Sequence, residues 1–284
     1  MIPTTNIGRY ASIVFVRVVL NTDEPLRSNI DKEPFMYDLS PSRTALITGV
    51  SRPLGLGFAV ARQLAEKNFH VILAARNESD AAELAEELRV SGLKATSLQL
   101  DLAEKLSINE AARRLTKRIE RLDVLINNAS AMPDFHTQSA LEVDYETLHS
   151  HFEVSVFGTW KLVMDVLPLL RKAPAARIVN VSSMAAQQVG KRERGTLYSP
   201  AYSLAKYTLN ALTFTLASAL ADTPILVNAV DPGPVASHPE RGDDENDRSP
   251  AEAAKGIVWA ATLGADGPTG GLFLDERPVE AGSR

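Results

Sequence analysis

From Thr44 onward the chain alternates two hydrophobic patterns. Short, near-continuous apolar and β-branched runs occupy Thr44–Thr48, His70–Ala75, Ala95–Leu100, Asp123–Asn127, Arg177–Ser182 and Ile225–Val230. Runs of this length, with little polar alternation, predict strands buried on both faces. Between them apolar positions recur with helical period: Ala81, Leu84, Ala85 and Leu88, then Ile108, Ala111, Ala112, Leu115 and Ile119. Longer helical segments are predicted over about Tyr145–Leu170 and Ala201–Ala221. Strand–helix units in succession predict an α/β domain of Rossmann type. Its doubly wound, mostly parallel sheet would have about seven strands, helices on both faces and right-handed crossovers.

Residues 1–42 follow neither pattern. Ala11–Leu20 is apolar but broken by Arg17, and it is too short to span a bilayer. As a secretion signal it lacks a basic start beyond Arg9 and a small-x-small cleavage site. Asp23–Pro41 is polar, holds three prolines and reads as a linker. One domain over 43–284 is expected, preceded by an extension, 1–42, to which no chemistry is assigned.

Composition narrows the function classes. The chain has 284 residues, 30 Lys+Arg against 35 Asp+Glu and a net charge of −5, so it lacks the basic balance of a nucleic-acid-coating protein. No apolar run approaches the ~18 residues of a membrane span. The absence of cysteine excludes disulfides, thiol nucleophiles and thiolate metal sites, and fits a reducing, cytoplasmic setting. His149 and His151 stand two apart on a predicted helix and do not share a face, so no metal site is expected.

In parallel sheets, ligands sit beyond the carboxyl ends of the strands. Those ends carry Gly49–Gly57, Arg76, Asp101–Leu102, Asn127–Ser130, Ser182–Ser183 and Asp231–Ser237, all glycine-rich, polar or charged. The segment TGVSRPLGLG (Thr48–Gly57) follows the first strand and opens the first helix, where glycines let a backbone approach a pyrophosphate. NAD-preferring sites place a carboxylate at the end of the second strand. Ala74-Ala75-Arg76 offers a cation instead, and Arg52 adds another. Two arginines suit a 2′-phosphate, which predicts NADP(H) as the cofactor.

Tyr202 and Lys206 sit at i and i+4 on one helical face, downstream of a strand ending in Ser182-Ser183. A serine hydroxyl, a phenol and an ammonium converging at a strand end suit proton transfer. A free tyrosine has a pKa of ~10, and a neighbouring cation is expected to lower it.

These stretches together resemble the short-chain dehydrogenase/reductase family, and in particular its NADPH-linked carbonyl reductases. The matching motifs are TGVSRPLGLG, Asp101-Leu102, NNAS (127–130), IVNVSS (178–183), YSLAK (202–206) and VNAVDPGPVAS (227–237), in family order; TGGLFLDERP (269–278) resembles the closing strand. The resemblance implies a role for each position. Tyr202 would be the general acid or base, Lys206 would tune it and hold the nicotinamide ribose, and Ser183, rather than Ser182, would orient the substrate carbonyl. Gly49, Ser51, Leu54 and Gly55 would line the pyrophosphate, with Arg52 and Arg76 at the 2′-phosphate. Asp101 and Leu102 would contact adenine and Asn128 the ribose side. Val235 and Ser237 would bind the carboxamide. Pairing of the two long helices across a two-fold axis would make a homo-oligomer.

Three departures from the family pattern stand out. Pro53 replaces the middle glycine of the loop, which removes one N–H donor and is expected to stiffen the loop in a usable shape. Ser155, in FEVSVFGT, replaces the family's catalytic asparagine, so slower proton delivery is expected rather than none. The stretch from Ser183 to Tyr202 is longer than usual and carries Lys191, Arg192, Arg194 and a second phenol, Tyr198, which lacks a lysine four residues on. The segment His238–Pro250, rich in Asp and Glu, falls where the family keeps its substrate loop. The leading expectation is hydride transfer between a nicotinamide and a small carbonyl or alcohol. A dinucleotide-binding protein with vestigial chemistry, or different chemistry on the same fold, are the alternatives.

Overall fold

A computed structural model describes residues 43–131, 134, 136–189, 197–237 and 246–279. The expectations placed on residues 1–42, on Lys191, Arg192 and Arg194, and on the acidic run 243–245 lie outside these. All described residues belong to one compact unit, Pro41–Arg284.

The strands are β1 (Thr44–Thr48), β2 (His70–Ala75), β3 (Ala95–Gln99), β4 (Val124–Asn127), β5 (Arg177–Val181), β6 (Leu226–Asp231), β7 (Leu272–Leu274) and β8 (Arg277–Pro278). They form one sheet in the order β3-β2-β1-β4-β5-β6-β7-β8. Every pairing is parallel except β7 with β8. The helices are α1 (Leu56–Glu66), α2 (Glu78–Val90), α3 (Lys105–Arg118), α4 (Tyr145–Phe152), α5 (Thr159–Leu170), α6 (Pro200–Ala219) and α7 (Pro250–Ala261). The sheet is thus the doubly wound arrangement that the hydrophobic pattern predicts, with eight strands instead of seven. The additional strand comes from the TGGLFLDERP stretch, which folds back on itself. Asp275 and Glu276 both take positive φ (49° and 64°), the geometry of a tight hairpin turn.

Each central strand buries both faces, which explains its unbroken apolar run. Ala45 and Ile47 of β1 point into a core shared with α1, α2 and α7. Leu46 points to the opposite core, built with α3, α5 and α6. Each fully buried aliphatic side chain contributes about 1.5–3 kcal/mol relative to exposure. At the strand ends away from the glycine loop, the buried Arg177 guanidinium donates to the carbonyls of Leu263 (3.0 and 2.8 Å), Gly264 (2.8 Å) and Ala176 (2.8 Å).

The predicted helix Tyr145–Leu170 is continuous but not uniform. Between α4 and α5 lies one π-helical stretch, Glu153–Gly158, with the Thr159 hydroxyl donating to the Val154 carbonyl five residues back. Apolar periodicity does not register such a stretch, because the flanking turns stay in phase with their cores. Gly158 closes it against the β3–α3 connection: a Cβ there would lie 2.0 Å from the Leu102 carbonyl oxygen. Neither backbone can yield cheaply. Gly158→Ala is expected to destabilise the fold by about 2 kcal/mol and lower the Tm by roughly 4–8 °C in a thermal melt. A Tm equal to wild type would contradict this packing.

Candidate active site

The sheet order reverses between β1 and β4, and a groove opens at their carboxyl ends. After β1, Gly49 takes φ +74°, and a Cβ there would lie 2.6 Å from Ala129 Cα. Only glycine fits both demands. The chain then turns through Arg52–Gly55, with Gly55 N donating to the Arg52 carbonyl at 3.0 Å. Pro53 occupies the second position of that turn, where its fixed φ is favoured. The turn's hydrogen bond does not use the N–H that proline lacks.

Helix α1 begins with Gly55 as its N-cap, with no side-chain cap and no acidic residue in its first turn. Its first N–H groups and the positive end of its dipole remain available to an anion. Asn128, expected at the ribose side, holds the loop in place: its amide donates to the carbonyls of Thr48 (2.8 Å) and Gly49 (3.2 Å). Thr48 Oγ1 returns the link by accepting from the backbone N–H groups of Asn128 and Ala129. Arg52 and exposed Arg76 stand beyond the carboxyl ends of the adjacent strands β1 and β2.

The chemistry-bearing groups gather beyond β5. Ser182 is buried and its hydroxyl donates to Asn210 Oδ1 at 2.7 Å, so it braces α6. Ser183 faces the groove, and its hydroxyl hydrogen-bonds the Tyr202 phenol. A second buried ladder ties α6 to the sheet: Asn127 Nδ2 donates to Asn180 Oδ1 (2.7 Å), and Asn180 Nδ2 donates to Thr213 Oγ1 (2.8 Å). Tyr202 lies in the first turn of α6 and Lys206 one turn later. Lys206 is 2% exposed; its Nζ donates to the Val181 carbonyl at 2.6 Å and lies 5.6 Å from the centre of the Tyr202 ring.

The electrostatics correct one expectation. Burial raises the Tyr202 phenol above its ordinary value, the Ser183 hydrogen bond opposes this, and the charges of Asp231 and Asp134 push it up further. Burial also brings Lys206 down to about 8, with Asp231 opposing. Burial, not the ammonium, therefore sets the direction in which the phenol moves. The ammonium's proton is aimed at the Val181 carbonyl, and two buried carboxylates act on the phenol in the same direction as burial. Asp231 ends β6; one oxygen accepts from Gly233 N at 2.9 Å, and burial raises its own carboxyl.

Ser155 is fully buried in the π-helical stretch and does not reach the groove wall. Its hydroxyl has no hydrogen-bond partner among the described residues. His151 lies one helical turn before it, also fully buried, with Nε2 3.2 Å from Asp134 Oδ1. The His151 ring meets the Tyr202 ring edge-on, with centroids 5.8 Å apart at 67°.

The groove encloses about 1480 Å³, above the ~300–1,000 Å³ of a typical small-molecule pocket. Of the residues given catalytic or cofactor-binding roles in the sequence, all but Leu54 and Ser155 line it. The Leu54 side chain is turned to solvent, and only its backbone stays in the loop. Leu102 reaches the groove but spends its side chain in the core beneath α5. Val235 and Ser237 follow β6 on a segment that bridges to Arg248, which is itself held by both oxygens of Asp275. Tyr198, the second phenol, stands exposed at the groove wall beside Gln188. An uncapped helix start, two arginines and this volume suit a phosphorylated dinucleotide. Asp134 was not singled out in the sequence, His151 was weighed only as a metal ligand and Asp231 only as a strand end, because tertiary folding alone brings the three to the phenol. Among the described residues, no group of His, Asp and Glu could hold a metal ion and no helix is long and apolar enough to cross a membrane.

The sequence profile of the short chain dehydrogenase family matches residues 43–247. A short-chain dehydrogenase from Penicillium roqueforti is 32% identical over 247 residues, covering 81% of this chain and 93% of that protein. A diacetyl reductase ((S)-acetoin forming) from Staphylococcus epidermidis is 32% identical over 193 residues, covering 68% and 71%. Among solved structures, the RhlG/NADP active-site complex from Pseudomonas aeruginosa superposes with a TM-score of 0.70 at 27% identity, covering 82% of this chain and 94% of that one. The chain belongs to the short-chain dehydrogenase/reductase family and is an NAD(P)-dependent oxidoreductase.

Proposed function

We propose that this oxidoreductase uses NADPH to reduce an aldehyde or ketone, with Tyr202 as the proton donor. The observation that carries the reading is the convergence of Ser183, Tyr202 and Lys206 on the groove that also holds the glycine loop and both arginines. Bound NADPH supplies the hydride. Ser183 donates a hydrogen bond to the substrate carbonyl, and Tyr202 passes its proton to the same oxygen as the carbon is reduced. Lys206 holds the nicotinamide ribose. Val235 and Ser237 bind the carboxamide, while Asp101 and Leu102 flank the adenine. Gly49, Ser51 and Gly55 line the pyrophosphate, together with the backbone of Leu54. Burial keeps the phenol in its protonated form, the form that donates to a carbonyl oxygen.

Arg52 and Arg76 favour NADPH over NADH by pairing with a 2′-phosphate. Asp80 also lines the groove, but one of its oxygens is engaged by the Asn77 amide at 2.9 Å. Ser155, buried behind the groove wall, takes the place of the asparagine that the family resemblance puts there. Ser155→Asn is expected to give an equal or higher kcat; a fall of roughly tenfold or more in a folded variant would refute that assignment.

The proposed assembly is a homo-oligomer. Phe157, Trp160 and Met164 are exposed at helical spacing around α5, as are Leu204, Tyr207 and Phe214 on α6. Two such stripes suit pairing with a second copy.

The reading is tested by following NADPH oxidation with a panel of aldehydes and ketones, and by repeating it with NADH. Turnover with a higher kcat/KM for NADPH is expected. NADH equal to or better than NADPH would overturn the cofactor assignment. Heat protection by NADPH with no turnover would instead favour vestigial chemistry.

A further inference from the structure

A buried acid–histidine pair stands behind the phenol and has no part in the roles above. Helix α6 starts abruptly. Ser199 takes φ 49°, its side chain makes no capping bond, and Pro200 opens the first turn. The capping task falls to a residue far away in sequence: Asp134 Oδ2 accepts from the backbone N–H of Ala201 at 2.8 Å. Tyr202 is the next residue. The other oxygen of the same carboxylate faces His151 Nε2 at 3.2 Å, within ion-pair distance but outside hydrogen-bond geometry, and the His151 ring meets the Tyr202 ring edge-on. One carboxylate therefore links the backbone beside Tyr202 to the side chain packed on its ring.

We propose that Asp134 and His151 are positioning residues for the Tyr202 phenol, fastening the first turn of α6 to α4 and holding the ring at its edge. The inference rests on Tyr202 being the proton donor. A carboxylate at a helix start makes a charge-assisted bond to a free N–H and meets the positive end of the dipole. Breaking a buried pair from one side leaves the other group unpaired, so the two act as a unit. The charged and titratable groups facing His151 are Asp134, from the β4–α4 connection, and Lys206 and Tyr202, from α6. Burial and Lys206 favour the neutral imidazole, and Asp134 opposes them. Small misplacements at a reacting centre are costly, with ~1 Å worth as much as 10²-fold in rate.

Three variants in the full chain test the proposal, with folding checked by circular dichroism. Asp134→Ala removes the acceptor for Ala201 N, and kcat is expected to fall by roughly tenfold or more with the KM for NADPH within about threefold. Asp134→Asn keeps an acceptor oxygen and is expected to recover at least threefold of that loss. His151→Ala opens the ring edge to water. The second readout does not need activity: the ultraviolet phenolate titration of Tyr202, isolated by subtracting the same titration of Tyr202→Phe. In His151→Ala this step is expected to move to lower pH by roughly half a unit or more, since burial is what raises it. If His151→Ala does not fold, His151→Gln keeps a polar group facing Asp134 without the ring, and a smaller shift in the same direction is expected. An unmoved Tyr202 step, or equal kcat in Asp134→Ala and Asp134→Asn, would overturn the proposal. A wild type that titrates as expected but reduces no carbonyl compound would overturn the functional reading and leave the positioning pair standing.

Discussion

Tyr202→Phe is expected to lower kcat for carbonyl reduction by roughly 10²–10⁴-fold, the range for loss of a positioned proton donor. The substitution keeps the ring that packs against His151 and removes only the hydroxyl that Ser183 contacts. The Kd for NADPH is expected to stay within about threefold, and the Tm close to wild type, because the lost atom faces the groove and not the core. The pH dependence has a defined sign. Tyr202 is held above its ordinary value, so the donor form persists through neutral pH. Lys206 comes down to about 8, so its ammonium is complete below that value and is lost as pH rises through it. The rate is therefore expected to fall on the alkaline side of about 8 because Lys206 loses its charge before the phenol ionises. A rate that rises across that interval would contradict the assignment.

Removing both groove arginines has the next largest expected effect. Arg52→Ser with Arg76→Ser is expected to raise the KM for NADPH by about 10²-fold, since each charge-assisted bond to a phosphate contributes roughly 1.5–3 kcal/mol and exposure discounts it. The KM for NADH should change by less than about threefold, because NADH has no 2′-phosphate to lose contact with. The ratio of kcat/KM values for the two cofactors reads out this difference directly. Arg52 begins the Arg52–Gly55 turn through its backbone carbonyl, which serine retains, so the loop is expected to survive. Equal losses with both cofactors would mean that the arginines support the loop instead of discriminating the phosphate.

Much of the fold was legible because its central strands are buried on both faces. Burial on both faces leaves a continuous apolar run, and the predicted and observed limits of β1 and β2 coincide while those of β3 to β6 differ by about one residue. β8 was not legible, since Arg277-Pro278 is short and exposed and its turn is built from Asp275 and Glu276 instead of glycine. The π-helical stretch at Ser155 escaped for another reason: it shifts backbone hydrogen bonds without disturbing the apolar spacing on either side.

The candidate site divides in the same way. Residues next to strand ends, such as Gly49, Arg76, Ser183 and Val235, were found because parallel topology brings strand ends together. Asp134 lies in an irregular connection and His151 on the inner face of α4, and nothing in their spacing announces a meeting with Tyr202. The electrostatic error has the same origin. The Tyr-x-x-x-Lys spacing puts an ammonium one turn from the phenol, whereas the burial that raises the phenol, and the smaller push from Asp231 and Asp134, come only with tertiary structure.

The central claim is hydride transfer to a carbonyl carbon beside the Tyr202 phenol. Its most direct measurement uses NADPH deuterated at the transferable position of nicotinamide C4, with a small vicinal diketone and a series of aldehydes and ketones, and mass spectrometry of the products. The account predicts an alcohol carrying one deuterium on the carbinol carbon with wild type, and a rate lowered by roughly 10²-fold or more with Tyr202→Phe. NADPH binding without label in any product, or equal label transfer by both proteins, would contradict it.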